Sequence, residues 1–198
     1  VCFVCILVHE LGHALTAKAF GERNGRIVLY EFGGLAYSNT PSKGFSRILV
    51  IFMGPGAGFI LLGVVWAITG QGIINDWGEG LMGFAVHQAY WICLWWGLIN
   101  LLPVYPLDGG QLLYETLRLR WPTRAFGVTR VVSCATAFTA AAGFAWRHFE
   151  QGGGLDGGLY STALFLVLGF YSLRLGRTTD QESKPLEDWQ KDPDYWKR

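Results

Sequence analysis

The sequence predicts an all-α polytopic membrane protein, with about five transmembrane helices and a short β-hairpin between the first two. Three observations predict this class. Hydrophobic residues make up 51% of the 198-residue chain and charged residues only 16%, against roughly 25% charged in a soluble domain. Five apolar runs approach the length that a bilayer demands, about 17 to 25 residues for a spanning helix. Lys and Arg are concentrated in alternate connections between those runs, a segregation for which a soluble surface has no use. The length suits one domain. Nine Trp and 27 Gly are residue types favoured in membrane proteins. The formal net charge of +1 carries no basic footprint, so no nucleic-acid partner is expected.

The first run, Val1 to Phe20, has no initiator Met and no charged leading region, so it does not read as a signal peptide. It is expected to continue upstream of Val1. Its Cys2 and Cys5 form a lone C-x-x-C, read as small packing residues rather than half of a zinc knuckle, and Cys93 and Cys134 suggest no disulfide framework. Between the first two runs, Ile27 to Ser38 is β-rich, with Gly33-Gly34 between two short stretches, the pattern of a hairpin. Ile48 to Thr69 and Phe84 to Leu102 have spanning length. Val131 to Trp146 and Leu159 to Leu175 are short and need snorkelling flanks. From Thr178 the chain turns polar, as an exposed tail does. The expected organisation is a three-helix core over 1–115 with its hairpin, two further transmembrane helices over 116–177, and a polar tail over 178–198.

Five crossings put the connections on alternating sides. Lys18, Arg23, Arg26, Lys43 and Arg47 flank or occupy the first connection, and Arg118, Arg120, Arg124 and Arg130 the third. Arg174, Arg177, Lys184, Lys191, Lys197 and Arg198 sit at the C-terminal end. The second connection has only Asp76 and Glu79, and the fourth has Arg147 alone. Fifteen of the 16 Lys and Arg thus fall on one side, which the positive-inside rule makes the cytosol. The expected localisation is a multi-pass integral membrane protein with a cytosolic C-terminus.

Chemistry enters in the first run. His9-Glu10-Leu11-Gly12-His13 is H-E-x-x-H. On a helix the two imidazoles share a face and can bind one zinc, with Glu10 placed to take a proton from a water. Two His and one Glu inside a membrane run are expensive and mark function. A catalytic zinc has three protein ligands and one open position, so a third ligand is needed. His87 and His148 qualify by residue type, but the topology puts both on the opposite side; His87 reads as a packing residue and His148 as loop. Asp108 lies at the right depth, in Asn100-Leu101-Leu102-Pro103-Val104-Tyr105-Pro106-Leu107-Asp108-Gly109-Gly110. Pro103 and Pro106 remove backbone donors, Gly109 and Gly110 permit tight turns, and irregular backbone at this depth is tolerated where it lines a cavity. By itself this stretch reads first as a plain helix-ending turn.

Together, His9-Glu10-x-x-His13 and, two helices later, Asn100-x-x-Pro103-x-x-Pro106-Leu107-Asp108-Gly109 resemble the site-2 protease family of intramembrane zinc metalloproteases. The resemblance covers about residues 1 to 115. It implies His9, His13 and Asp108 as ligands of Zn2+ and Glu10 as the base. It also implies hydrolysis of a peptide bond within or near a transmembrane segment, with a transmembrane protein as substrate and the lipid bilayer as surroundings. Asn100 has two open readings, a hydrogen bond to substrate or oxyanion, or a bridge for the broken helix backbone. Gly54-Pro55-Gly56-Ala57-Gly58 is similar to the family's Gly-Pro segment, which would permit close helix approach and a local break. The hairpin resembles the family's β-loop, to which a substrate could add as a strand. Leu101 departs from the Pro that many members carry after the Asn. The competing class is a non-catalytic membrane metal-binding protein or transporter-like module, although no internal repeat of the transporter kind is visible.

Overall fold

A computed structural model describes residues 1–21, 26–30, 33–37, 44–69, 80–150, 152 and 157–182. The elements are α1 (Cys2–Ala19), β1 (Arg26–Tyr30), β2 (Gly33–Tyr37), α2 (Phe45–Thr69), α3 (Leu81–Asn100), α4 (Asp108–Arg120), α5 (Pro122–Glu150) and α6 (Gly157–Glu182). Asp76 and Glu79 of the second connection, Ser38 at the end of the expected hairpin, and 183–198 of the expected tail lie outside the described residues.

Each of the five apolar runs falls in a helix, but the expectation of about five spanning helices is corrected. Among the described residues three helices are long and apolar enough to cross a membrane: α1, α2 over Phe45–Ala67, and α5. α3 interrupts its apolar surface with His87, Gln88 and Asn100. α6 opens on Gly157-Gly158 and carries Ser161, Thr162, Ser172 and Arg174 within its apolar stretch. Apolar side chains of the long helices face outward, among them Phe3, Val4 and Leu15 of α1 and Ile60, Val64 and Trp66 of α2. A continuous outward apolar surface of this kind is suited to lipid.

The hairpin expectation is also corrected. β1 and β2 pair antiparallel with Tyr30 opposite Gly33 and Leu29 opposite Gly34. Gly33 and Gly34 are therefore strand residues and not the turn between two runs, and the connection, 31–32, lies outside the described residues. The glycines suggested a turn because they tolerate any backbone angle, but the register is set by pairing.

The third connection, expected as a loop, holds a helix. α4 follows the proline stretch, with Asp108 in its first turn and Arg118 and Arg120 in its last, charges that complement the helix dipole. Its Glu115 is buried; Arg118 Nη2 lies 2.8 Å from one carboxylate oxygen and Arg47 Nε of α2 lies 4.0 Å from the other. α4 thereby packs on α2 as well as on α5. His148, expected in a loop, lies near the end of α5.

α1 packs most extensively on α2, and α5 on α6. Cys5, Leu62, Tyr90 and Cys93 form the buried cluster among α1, α2 and α3, so Cys5 is a packing residue. All four cysteines are free. The buried face of α5 is Ala125, Thr129, Ser133, Ala137 and Ala141. Small residues every fourth position let helices approach closely where lipid removes the usual hydrophobic drive between them.

Candidate metal centre

His9 and His13 lie one turn apart on α1, on the face turned to α2 and to the start of α4. That face depends on glycine. A Cβ on Gly12 would overlap the Met53 carbonyl and lie 2.7 Å from Ala57 Cβ. Only hydrogen at position 12 lets α1 come this near to α2. On the facing turn, a Cβ on Gly54 would occupy the place of the His13 imidazole. The Gly-Pro segment thus permits close approach as the sequence suggested, but it makes no break, since α2 runs through Pro55.

Asp108 arrives from the other side as the first residue of α4, not on irregular backbone. Gly109 and Gly110 follow it within the helix, and neither adopts a positive φ. Their contribution is closeness rather than turning. A Cβ on Gly109 would strike the Leu101 and Leu102 carbonyls, and one on Gly110 the Val104–Tyr105 backbone. The first turn of α4 therefore lies directly on the proline stretch, which aims the Asp108 carboxylate at α1.

Three ligand atoms converge there. His9 Nε2 and His13 Nε2 are 3.3 Å apart. Asp108 Oδ2 lies 3.0 Å from the first and 3.4 Å from the second. His9 and Asp108 are buried and His13 partly so. His13 Nδ1 is 2.9 Å from the Val50 carbonyl oxygen. A carbonyl can only accept, so Nδ1 carries the proton and Nε2 presents its lone pair to the centre. Asp108 Oδ2 is buried without a well-directed hydrogen bond, although two imidazoles stand beside it. An orphaned carboxylate oxygen facing a nitrogen lone pair calls for a cation.

The spacing fits one. Zinc bonds of about 2.0 to 2.2 Å in a tetrahedron separate any two ligand atoms by about 3.3 to 3.6 Å. Two of the three edges are within about 0.1 Å of that range and the third is about 0.3 Å short of it. Among the described residues this is the group of His, Cys, Asp and Glu side chains that could hold a metal ion.

Glu10 is buried beside this group on α1. Asn100, the last residue of α3, donates from Nδ2 to the Trp96 carbonyl at 2.9 Å. His87 is exposed, edge-on to Trp91, and His148 is edge-on to Phe149; neither joins the cluster. Gly12 and Gly54 shape the site, which the two motifs alone do not show. Their signal was present, since each is one residue from or one helix turn opposite a ligand, but their importance depends on which helix faces α1.

The family model for Peptidase M50B-like proteins matches residues 2–105, more than half of the chain. This chain belongs to the Peptidase M50B-like family. The resemblance to site-2 proteases drawn from the two motifs is thereby borne out. The M50B-like chain is 35% identical over 121 residues to a zinc metalloprotease of Methanocaldococcus jannaschii, a match covering 60% of this chain and 34% of that protein. It is 34% identical over 113 residues to the stage IV sporulation protein FB of Bacillus subtilis, covering 55% of this chain and 36% of the relative. The chain thus spans about a third of the length of these relatives. Its fold is that of the solved site-2 protease from Methanocaldococcus jannaschii, with a TM-score of 0.58 at 23% identity over 94% of this chain and 77% of the other. Family membership and the apolar spans together make the chain an integral membrane protein.

Proposed function

We propose that this chain carries the catalytic core of an intramembrane zinc metalloprotease, hydrolysing a peptide bond within or near a transmembrane segment of another membrane protein. The observation that carries this reading is the near-tetrahedral spacing of His9 Nε2, His13 Nε2 and Asp108 Oδ2 within a bundle of apolar helices. In this reading the three side chains hold zinc. Bound zinc supplies Lewis acidity, which makes water a competent nucleophile near neutral pH and favours negative charge on a carbonyl oxygen. Glu10 accepts the proton of the attacking water and returns it to the leaving amine. Burial of Glu10 among apolar helices keeps that proton from bulk water. The Val50 carbonyl holds the His13 ring in one tautomer and one orientation. The Asn100 amide has a second N–H beyond the one given to Trp96, and in this reading it donates to the substrate carbonyl.

The reading keeps the catalytic unit within 1–115, with 116–177 as further membrane helices and 178–198 as a polar tail. It places the C-terminus in the cytosol, on the strength of the Lys and Arg segregation. The substrate is then cut near its cytosolic end, since the Lys and Arg beside the ends of α1 and α4 put His13 and Asp108 toward the cytosol in this reading.

The test compares the native chain with Glu10→Gln, purified in detergent, for zinc content and for cleavage of single-span membrane substrates. Both are expected to hold about one equivalent of zinc. Cleavage by the variant should fall about 10²- to 10⁴-fold, the usual contribution of a general base. Equal cleavage by both would remove Glu10 from the mechanism. Absence of zinc from both would remove the metal centre itself.

A further inference from the structure

The connection between α3 and α4 satisfies most of its own backbone. Leu101 N–H donates to the Gly97 and Leu98 carbonyls, Leu102 to Ile99, Val104 to Leu102 and Leu107 to Val104. Gln111 Nε2 donates to the Pro106 carbonyl, and Pro103 and Pro106 have no N–H to place. Tyr105 is different. Its N–H donates to Ser133 Oγ at 3.0 Å and its carbonyl accepts from Ser172 Oγ at 2.9 Å. Ser133 belongs to α5 and Ser172 to α6, and both are fully buried. Two helices that supply no ligand to the metal centre therefore hold both backbone polar groups of one residue, three positions before Asp108.

We infer that Ser133 and Ser172 are positioning residues for the metal centre, clamping Tyr105 so that Asp108 reaches His9 and His13. This rests on reading His9, His13 and Asp108 as a zinc site. The path from the clamp to the carboxylate is short and stiff. Pro106 fixes its own φ, Leu107 N–H returns to the Val104 carbonyl, and the first turn of α4 sits on the Val104–Tyr105 backbone at Gly110. A buried N–H left unpaired is costly, and an unpaired carbonyl somewhat less so, so loss of either serine hydroxyl moves Tyr105 toward another partner. Asp108 moves with it. Metal sites tolerate about 0.2 Å in ligand distance, less than such a rearrangement requires. Ser133 and Ser172 lie beyond residues 2–105, the part matched to the family. Asp108 lies beyond it too, so the third ligand and the two helices that aim it stand together outside that part.

The test measures the zinc dissociation constant of the full chain in detergent by competition with a chelator, well below the melting temperature, alongside the metal-free melting curve. Ser133→Ala and Ser172→Ala remove the two hydroxyls without adding volume. Each should weaken zinc binding by about 10- to 100-fold, as loss of an outer-shell partner does. Thr129→Val is the comparison. Thr129 is buried one turn from Ser133 on the same face, and its Oγ1 has no hydrogen-bond partner, so zinc affinity should stay native. If Ser133→Ala does not fold, Ser172→Ala, which removes only a donor to a carbonyl, decides the matter. Earlier melting with native zinc affinity would reduce the serines to ordinary packing and overturn the inference. An equal loss of affinity in Thr129→Val would do the same. A native chain that binds no zinc would instead sink the metal-centre reading, and the clamp with it.

Discussion

Replacing Gly54 by Ala should abolish zinc binding while leaving the helix bundle folded. The added Cβ would lie 2.8 Å from His13 Cδ2 and nearer still to Cε1 and Nε2. Carbon atoms in contact normally stand about 3.5 to 4.0 Å apart, so the ring must retreat by about 1 Å or more. It has no room to do so and remain a ligand. Its Nδ1 is tied to Val50 at 2.9 Å, and its Nε2 stands 3.3 Å from His9 and 3.4 Å from Asp108. A displacement of that size is several times the tolerance of a metal bond, about 0.2 Å. The loss should exceed the about 10- to 100-fold of an outer-shell change, because a ligand itself is withdrawn. The cost to the fold is smaller. Overpacking costs about 1 to 3 kcal/mol, offset in part by about 1 kcal/mol from the better helix propensity of Ala. The assay is zinc content after dialysis against buffered zinc, with helix content followed by circular dichroism. Gly58→Ala is the control on the same helix, since its Cβ would meet only the Cys93 carbonyl at an ordinary 3.8 Å. Native zinc content in Gly54→Ala would refute the assignment of His13 to the centre, as would equal loss in Gly58→Ala.

Asp108→Ala leaves two imidazoles without their third ligand, so the purified variant should carry almost no zinc, and added zinc should restore neither binding nor cleavage. Chelator-treated native chain, by contrast, should regain both on adding zinc. Gly109→Ala drives a methyl into the Leu101 and Leu102 carbonyls. It should lower stability by about 1 to 3 kcal/mol and weaken zinc binding, because α4 must move off the proline stretch. Gly127→Ala on α5, with open space around it, should be neutral or stabilising by up to about 1 kcal/mol. Matching melting curves for these two glycine variants would show that the close approach of α4 contributes nothing.

Much of the candidate site was legible in the chain because its residues obey short-range rules. His9 and His13 share a face simply because a helix repeats every 3.6 residues. Asp108 could be brought to them because the topology put both segments at one depth. His87 and His148 stand apart from the cluster, on α3 and near the end of α5. Errors arose where a local signal had more than one physical meaning. Gly33-Gly34 and Gly109-Gly110 suggest conformational freedom in the sequence, yet the first pair lies in a strand and the second in a helix. At Gly109 and Gly110 the missing side chain matters and the backbone angle does not. α4 is hidden in the sequence because two glycines at its start mask a helix whose terminal charges, Asp108 and then Arg118 and Arg120, follow the usual polarity.

Composition and spacing by themselves determined that this chain belongs in a bilayer, that α1 presents two imidazoles on one face, and that a carboxylate follows a proline-broken segment two helices later. These are properties of residues near one another in sequence, governed by hydropathy, helix period and missing N–H groups. Only the tertiary structure decided that Gly54 vacates the space for His13, that the Val50 carbonyl fixes its tautomer, and that Ser133 and Ser172 reach Tyr105 from α5 and α6. Those depend on which helix faces which and at what distance. That choice is made by packing over the whole bundle, where a single methyl group or hydroxyl between two backbones changes the answer.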